Sequence, residues 1–240
     1  MPGVALPPDL PGAAGRPDFD CSRRDYRQAR AMPKTDPAVE AAPGSAPPRR
    51  AHRRGGWLDR LRAYAAHPDP RAESCNWIAL VVASNQPVYP LYLLWIVGGD
   101  WWISVVTFVS TPFFLAVPAM ARRHPIQGRM LLPLAGIGNG VVSAKAFGVA
   151  SGVELFLIPC ALIGLLAFSR REWRATALVL AAAGAALLLH DHYGMPLGRF
   201  DGDEYAAFVR LNAYSAAGLS VVALWSLGRT AFVRRRFAAS

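Results

Sequence analysis

The 240-residue chain lacks most of what a soluble enzyme displays. Its three cysteines, Cys21, Cys75 and Cys160, show no CxxC spacing and no paired framework, which argues against a disulfide scaffold and a cysteine metal site. There is no P-loop, no GxSxG, no HExxH and no helix motif of paired carboxylates. The run Gly136 to Gly140, GIGNG, lies inside an apolar stretch, not between a strand and a helix, so it is no dinucleotide fingerprint. Neither enzymatic activity nor a cofactor is expected. A short charged-then-apolar signal peptide is also missing, which leaves targeting to the first true span. Finally, the apolar residues do not follow a 3.6-residue stripe; they come in blocks.

Those blocks dominate what is present. Hydrophobic residues make up 53% of the chain and mean hydropathy is +0.22, too apolar for an ordinary soluble domain. The net charge of +10 and pI of about 10.2 raise nucleic acid as a partner. The arginines, however, sit mostly in the leading tail and at the ends of apolar blocks, as topology signals do. The partner implied is a lipid bilayer, with no nucleic acid.

Residues 1–72 read as a disordered, basic, Pro/Ala-rich tail, with twelve prolines up to Pro70 and few aliphatic residues; Met32 offers an alternative start. After the cluster Arg49, Arg50, Arg53 and Arg54, the residues Trp57, Leu58, Leu61, Tyr64 and Ala65 share one helical face. A short interfacial helix over residues 56–66 fits. Residues 73–236 form a six-helix transmembrane domain, and residues 237–240 close the chain. The expected spans are Trp77 to Val97, Trp101 to Ala121, Met130 to Val149, Gly152 to Ser169, Ala175 to His190 and Tyr205 to Leu227.

Charge alternates along the loops. Arg60, Arg62 and Arg71 precede the first span, Arg122, Arg123 and Arg129 separate the second and third, Arg170, Arg171 and Arg174 the fourth and fifth, and Arg229, Arg234, Arg235 and Arg236 follow the sixth. The intervening links carry Asp100, Asp191, Asp201, Asp203 and Glu204 against Arg199 alone. The positive-inside rule then puts both termini in the cytoplasm. The fold class expected is an all-α, polytopic bundle of six transmembrane helices in three antiparallel hairpins, in a bacterial inner membrane. Trp77, Trp95, Trp101, Trp102, Trp173 and Trp225 fall near span ends, where indole rings favour the interface.

Polar residues within apolar spans need a partner or a cavity. Asn85 and Gln86 precede Pro87 and Pro90, whose rings break the hydrogen-bond ladder; a kink satisfied by neighbouring groups or a ligand site would each use the two amides. Asn139 lies among glycines that let a partner helix approach. Lys145 and Glu154 flank the Ala150–Gly152 turn, at roughly 9 Å and 4 to 5 Å depth by helical rise, within reach of an ion pair. That pair either staples its hairpin or lines a pocket. His190 and His192, with Asp191, Asp201 or Asp203, give only a weak metal pattern, and no metal site is expected. Asn212 lies in the outer half of the last span. Asn85, Gln86, Asn139, Lys145, Glu154, His190 and Asn212 are thus the candidate ligand-binding residues of a polar pocket open to the outside.

NWIALVVASNQPVYPLYLLW from Asn76, SGVELFLIPCALIGLLAF followed by RREWR, and LNAYSAAGLSVVALW from Leu211 resemble the six-span sensory input regions of bacterial histidine kinases and nucleotide cyclases, those of the quorum kinases included. The resemblance implies a membrane sensor whose last span relays ligand binding. No kinase or cyclase follows Ser240, so a separate membrane or cytoplasmic partner is expected unless the chain is part of a longer protein. An accessory subunit of a membrane complex is the alternative and a small transporter the third reading; homo-oligomerisation is open.

Overall fold

A computed structural model describes residues 56–98 and 100–237, with side chains through Arg229. Of the tail expected over residues 1–72, residues 1–55, with the alternative start at Met32, lie outside these, while residues 70–72 are helical and open the first long segment. Among the described residues the structure is all helical, with no strand.

Helix α1, Trp57–Ala65, precedes α2, Pro70–Asn85. Helix α2 starts earlier than the hydropathy block because Asp69 caps it, its side chain accepting from the Arg71 amide, with Pro70 in the first turn, where a missing N–H costs nothing. The prolines distort this segment without ending it. A 3₁₀ turn at Gln86–Val88, a helical turn at Tyr89–Tyr92 and a π-helical stretch at Leu93–Val97 carry it to Gly98. The next segment opens as a 3₁₀ helix, Trp101–Ser110, and becomes α3, Thr111–Arg123. Ten residues is long for 3₁₀ geometry. Here Ser104, Thr107 and Ser110 recur at its three-residue repeat, and each hydroxyl lies 2.7–2.8 Å from the carbonyl three residues back.

Helix α4, Pro125–Phe147, is followed by two 3₁₀ turns, then α5, Leu157–Leu166, α6, Trp173–Leu188, and the 36-residue α7, Gly202–Phe237. Four segments are long and apolar enough to cross a membrane: Pro70–Val97, Trp101–Arg123, Pro125–Phe147 and Gly202–Arg229. The fourth and fifth expected spans are the arms Val153–Leu166 and Arg170–Leu188, bent by 118° at a short break, which count together as one further candidate. The first arm extends only about 21 Å against a hydrocarbon layer of about 30 Å, and the second opens on three arginines and a glutamate, so neither arm qualifies alone.

Contacts at the two ends tie the links together as the loop charges imply. At the acidic end, the Leu197 and Gly198 amides donate to the Lys145 and Ala146 carbonyls, and the Arg199 amide to Asp100. At the basic end, Arg129 of α4 reaches Asp69 ahead of α2 and Glu172 ahead of α6. Helix α1 packs here: the Tyr64 hydroxyl donates to the Leu115 carbonyl, and Arg122 donates to the Tyr64 carbonyl. Trp95, Trp101 and Trp102 are exposed near one end, and Trp57, Trp77, Trp173 and Trp225 near the other.

Two apolar cores stack along the bundle. One, towards the basic end, joins Ile78, Phe114, Leu132 and Ile163 to Ala223 and Leu227; the other joins Leu93, Ile103, Phe147 and Val153 to Phe208. Phe147, Phe200 and Phe208 form a ring cluster that closes the acidic end.

Candidate functional site

A cavity of about 680 Å³ lies between the two cores. Its walls include Ile78, Phe114, Leu132 and Ile163 from one and Val153 from the other. The first and last long segments touch at both ends: Ser74 donates to the Ser226 carbonyl near the basic end, and Leu93 and Val97 share a core with Ala207 and Phe208 near the acidic end. Between those contacts residues of both segments line the cavity, and the Tyr89 hydroxyl bonds Asn212 from one to the other. Several of the lining residues are exposed at the bundle surface, Val81 at 51% and Tyr214 at 78% among them. The cavity therefore opens sideways, through the flank of the bundle that an apolar solvent would bathe.

One polar row enters this apolar space. Gln86 is buried; its amide nitrogen donates to the Ser110 hydroxyl at 2.5 Å and approaches the Thr107 carbonyl at 3.4 Å, while its carbonyl accepts from the Thr111 hydroxyl. Ser110 in turn donates to the Asn139 carbonyl oxygen at 2.8 Å. The hydroxyl repeat of the 3₁₀ helix is what aims Ser110 at both amides. On α4, Gly136, Asn139, Gly140 and Ser143 fall at i, i+3, i+4 and i+7 and all line the cavity. Gly136 is required by packing, since a Cβ there would stand 2.6 Å from the Cys160 sulfur.

The seven candidate residues do not converge on a single pocket. Asn85, Gln86 and Asn139 line the cavity, with Asn85 exposed at its opening. Asn212 is fully buried just behind the wall, where it accepts from the Tyr89 hydroxyl at 3.1 Å and donates to the Ser151 carbonyl at 2.9 Å. Lys145, Glu154 and His190 lie at the acidic end, away from the cavity lining.

The expected Lys145–Glu154 ion pair is absent. Lys145 is exposed and its ammonium donates to the Met195 carbonyl at 2.8 Å. Glu154 faces His190, whose Nδ1 lies 3.2 Å from one carboxylate oxygen and bonds the other at 3.4 Å. The cause is the turn. Gly148 leaves α4 with φ +85° and Gly152 is left-handed, so two 3₁₀ turns intervene between Lys145 and α5 in place of a simple hairpin. The same histidine approaches Asp191 through Nε2 at 3.0 Å. The hydrogen bond that His190 donates to Glu154, with the Asp191 charge beside it, holds the His190 pKa above its ordinary value despite some desolvation. No group of three or more metal-ligating side chains occurs among the described residues.

Sequence reasoning missed Ser110, Ser143, Tyr89 and the buried Arg129. The three-residue hydroxyl repeat and the spacing of Ser143 four residues after Asn139 were the available signals.

The MASE7 family profile matches residues 61–231, from α1 into the last helix. The chain belongs to the MASE7 family. MASE domains are membrane-associated sensory domains of histidine kinases and cyclases, in agreement with the resemblance carried by the spans. No curated protein and no solved structure matches the chain. As a MASE7 member it is a membrane sensory domain, and the matched residues include every candidate site residue.

Proposed function

We propose that this MASE7 chain is a non-enzymatic input module of a bacterial inner membrane. It binds a small lipophilic molecule in the central cavity and relays binding through α7 to a separate partner. The observation that carries this reading is the cavity of about 680 Å³ bounded by the first and last long segments, a size typical of small-molecule sites. Its sideways opening suits a ligand dissolved in the bilayer. A molecule entering there changes the spacing between α7 and the first segment, which are joined at their ends and by the Tyr89–Asn212 hydrogen bond. At about 1.5 Å per residue, the 36 residues of α7 extend about 54 Å, beyond a hydrocarbon layer of about 30 Å. The surplus lies past the basic end, which the positive-inside rule assigns to the cytoplasm. In this reading both arms after Val153 run between the two faces, giving six passes with both termini inside.

Gly140 supplies the test. It lines the cavity, and a Cβ there would meet nothing within 4 Å, so Gly140→Leu starts its side chain in open space, takes up part of the cavity and removes a helix-weakening glycine. Protein purified from its own membranes in nanodiscs is extracted with solvent and the extract analysed by mass spectrometry. The wild type should release a low-mass lipophilic compound that Gly140→Leu lacks, with the variant unfolding at an equal or higher temperature. Identical extracts from the two proteins would defeat the reading.

A further inference from the structure

Helix α1 is covered by the bundle along only half of its length. Its second half is seated. Ala65 is buried and its carbonyl accepts from the Asn76 side chain at 2.9 Å, the Tyr64 carbonyl accepts from Arg122 at 2.9 Å, and the Tyr64 hydroxyl donates to the Leu115 carbonyl at 2.7 Å. The Arg122 guanidinium also lies 4.7 Å from the centre of the Tyr64 ring. The first half is bare. Trp57 is 69% exposed and Leu58 50%, on the same helical face as the seated residues. Left in water, this adjacent pair forfeits the gain of burial, so an apolar phase is the cover that suits it.

The depth at which α1 is seated and the charges around it identify that cover. Leu115 lies about 12 Å before the end of α3 by helical rise, within the segment Trp101–Arg123 that is long and apolar enough to cross a membrane. Tyr64 therefore reaches along the flank of α3 towards the acyl chains, which sets α1 at the level of the lipid headgroups. Arg60 and Arg62 fall at the two edges of the apolar face of α1, where a long side chain rests its stem on apolar surface and keeps its charge among headgroups, and Asp59 lies opposite. Arg62 approaches Asp59 at 3.6 Å in an exposed pair that water screens, so its charge remains available. Arg122, Arg123, Arg170 and Arg171 are exposed at the same end, where Asp59 is the one exposed carboxylate among the described residues.

We propose that the first half of α1 is a docking face for anionic phospholipid: Trp57 and Leu58 enter the acyl boundary, and Arg60 and Arg62 hold the phosphate groups of neighbouring headgroups. The basic end is the one that the positive-inside rule sets against the cytoplasmic leaflet, whose surface potential is negative. An acidic protein would satisfy the arginines but would leave Trp57 and Leu58 without an apolar cover at headgroup depth. Because Asn76 and Arg122 fasten the second half of α1 to α2 and α3, the lipid contact belongs to the bundle itself. No residue of α1 lines the central cavity, so this face does not depend on what the cavity binds.

The experiment uses the full chain in nanodiscs of phosphatidylcholine and in nanodiscs of phosphatidylglycerol, with hydrogen–deuterium exchange of the α1 amides read by mass spectrometry. In the wild type these amides should exchange about tenfold more slowly in the anionic discs, the worth of one or two arginines at a charged surface. Arg60→Gln combined with Arg62→Gln keeps good helix formers and should erase that difference while leaving exchange in phosphatidylcholine unchanged. Trp57→Ala should speed exchange in both lipids and preserve the ratio between them, which separates the apolar anchor from the charges. The substituted side chains are ones that the bundle does not cover, and equal exchange across α6 in every sample shows that it is folded. Equal α1 exchange of the wild type in the two lipids overturns the proposal and leaves the arginines to an acidic protein partner. A lipid difference that survives the loss of both arginines, or wild-type exchange in Trp57→Ala, overturns it as well.

Discussion

At the basic end of the bundle, the side chain of Arg129 is 5% exposed and each of its three nitrogens has a partner. It pairs with Glu172 at 2.5 Å, donates to the Ala167 carbonyl at 2.6 Å and to the Pro125 carbonyl at 3.3 Å, approaches Asp69 at 3.7 Å, and lies over the Phe168 ring. At the acidic end, Lys145 is exposed with one carbonyl partner, and the His190–Glu154 pair is part-exposed, at 36% and 23% of the two side chains. Both ends hold opposite charges near helix termini, yet they differ in what removal of a partner leaves behind. A buried ion stripped of its partner has no water to turn to, whereas an exposed one does. The basic end is thus a clamp across α2, α4 and α6, and the acidic end a set of adjustable contacts between loops.

The largest effect should follow from breaking the clamp. Arg129→Met leaves the Ala167 carbonyl without its donor and Glu172 with only the Ser169 amide and hydroxyl, and unfolding in mild detergent should show a loss of about 3 kcal/mol. A loss below about 1 kcal/mol would mean that the clamp is solvated and that the two ends do not differ. Asn212→Ala comes next. It strands the Tyr89 hydroxyl and the Ser151 carbonyl within the bundle, and about 1–2 kcal/mol is expected, towards the lower figure because polar contacts in membranes run weaker than their burial suggests. An effect as large as that of Arg129→Met would show that the acidic half holds the fold as strongly as the basic half.

The same contrast explains what the residue order revealed. Alternating loop charge and apolar blocks were enough to pair the links at either end, because each is a property of contiguous residues. The tryptophans near the span ends were legible for the same reason. The division of Val153–Leu188 into two arms was legible in the basic run at 170–174, but the short reach of each arm was not, since hydropathy does not report the length of regular helix. Asn85, Gln86 and Asn139 were recognisable as polar groups inside spans, and the structure brings them to one cavity. The partner of Lys145 was not, because it depends on the backbone of Gly148 and on a carbonyl in the 193–197 loop, which no side-chain pattern encodes. Arg129 read as one loop cation among many; only tertiary contact with Asp69 and Glu172 makes it a buried centre.

A smaller effect should appear as pH dependence at the acidic end. The His190 pKa is raised, chiefly by the hydrogen bond to Glu154, with Asp191 adding to it. A raised value means that the folded state favours the protonated ring. The stabilisation is therefore fully present below about pH 6.5 and is lost as pH rises through the elevated folded value. Thermal midpoints in detergent should fall gently as pH rises across this window, and Glu154→Gln should flatten that slope by removing its main cause. An unchanged slope in Glu154→Gln would rule out the His190–Glu154 contact as its cause.

The smallest effect sharpens the comparison most. Lys145→Met removes one exposed hydrogen bond to the Met195 carbonyl and should cost no more than about 0.5 kcal/mol. The informative quantity is its coupling to Glu154, read from a double-mutant cycle with Glu154→Gln in unfolding measurements. The two side chains have different partners, Met195 for the lysine and His190 for the carboxylate, so their effects should add to within about 0.3–0.5 kcal/mol. A coupling near 1 kcal/mol or more would restore a Lys145–Glu154 pair, close the 148–152 turn into a simple hairpin, and free His190 from the carboxylate that raises its pKa. The slope with pH and the coupling energy must therefore move together: an acidic end with additive Lys145 and Glu154 effects and a His190-dependent slope is the arrangement drawn here, and the reverse of both is the hairpin staple.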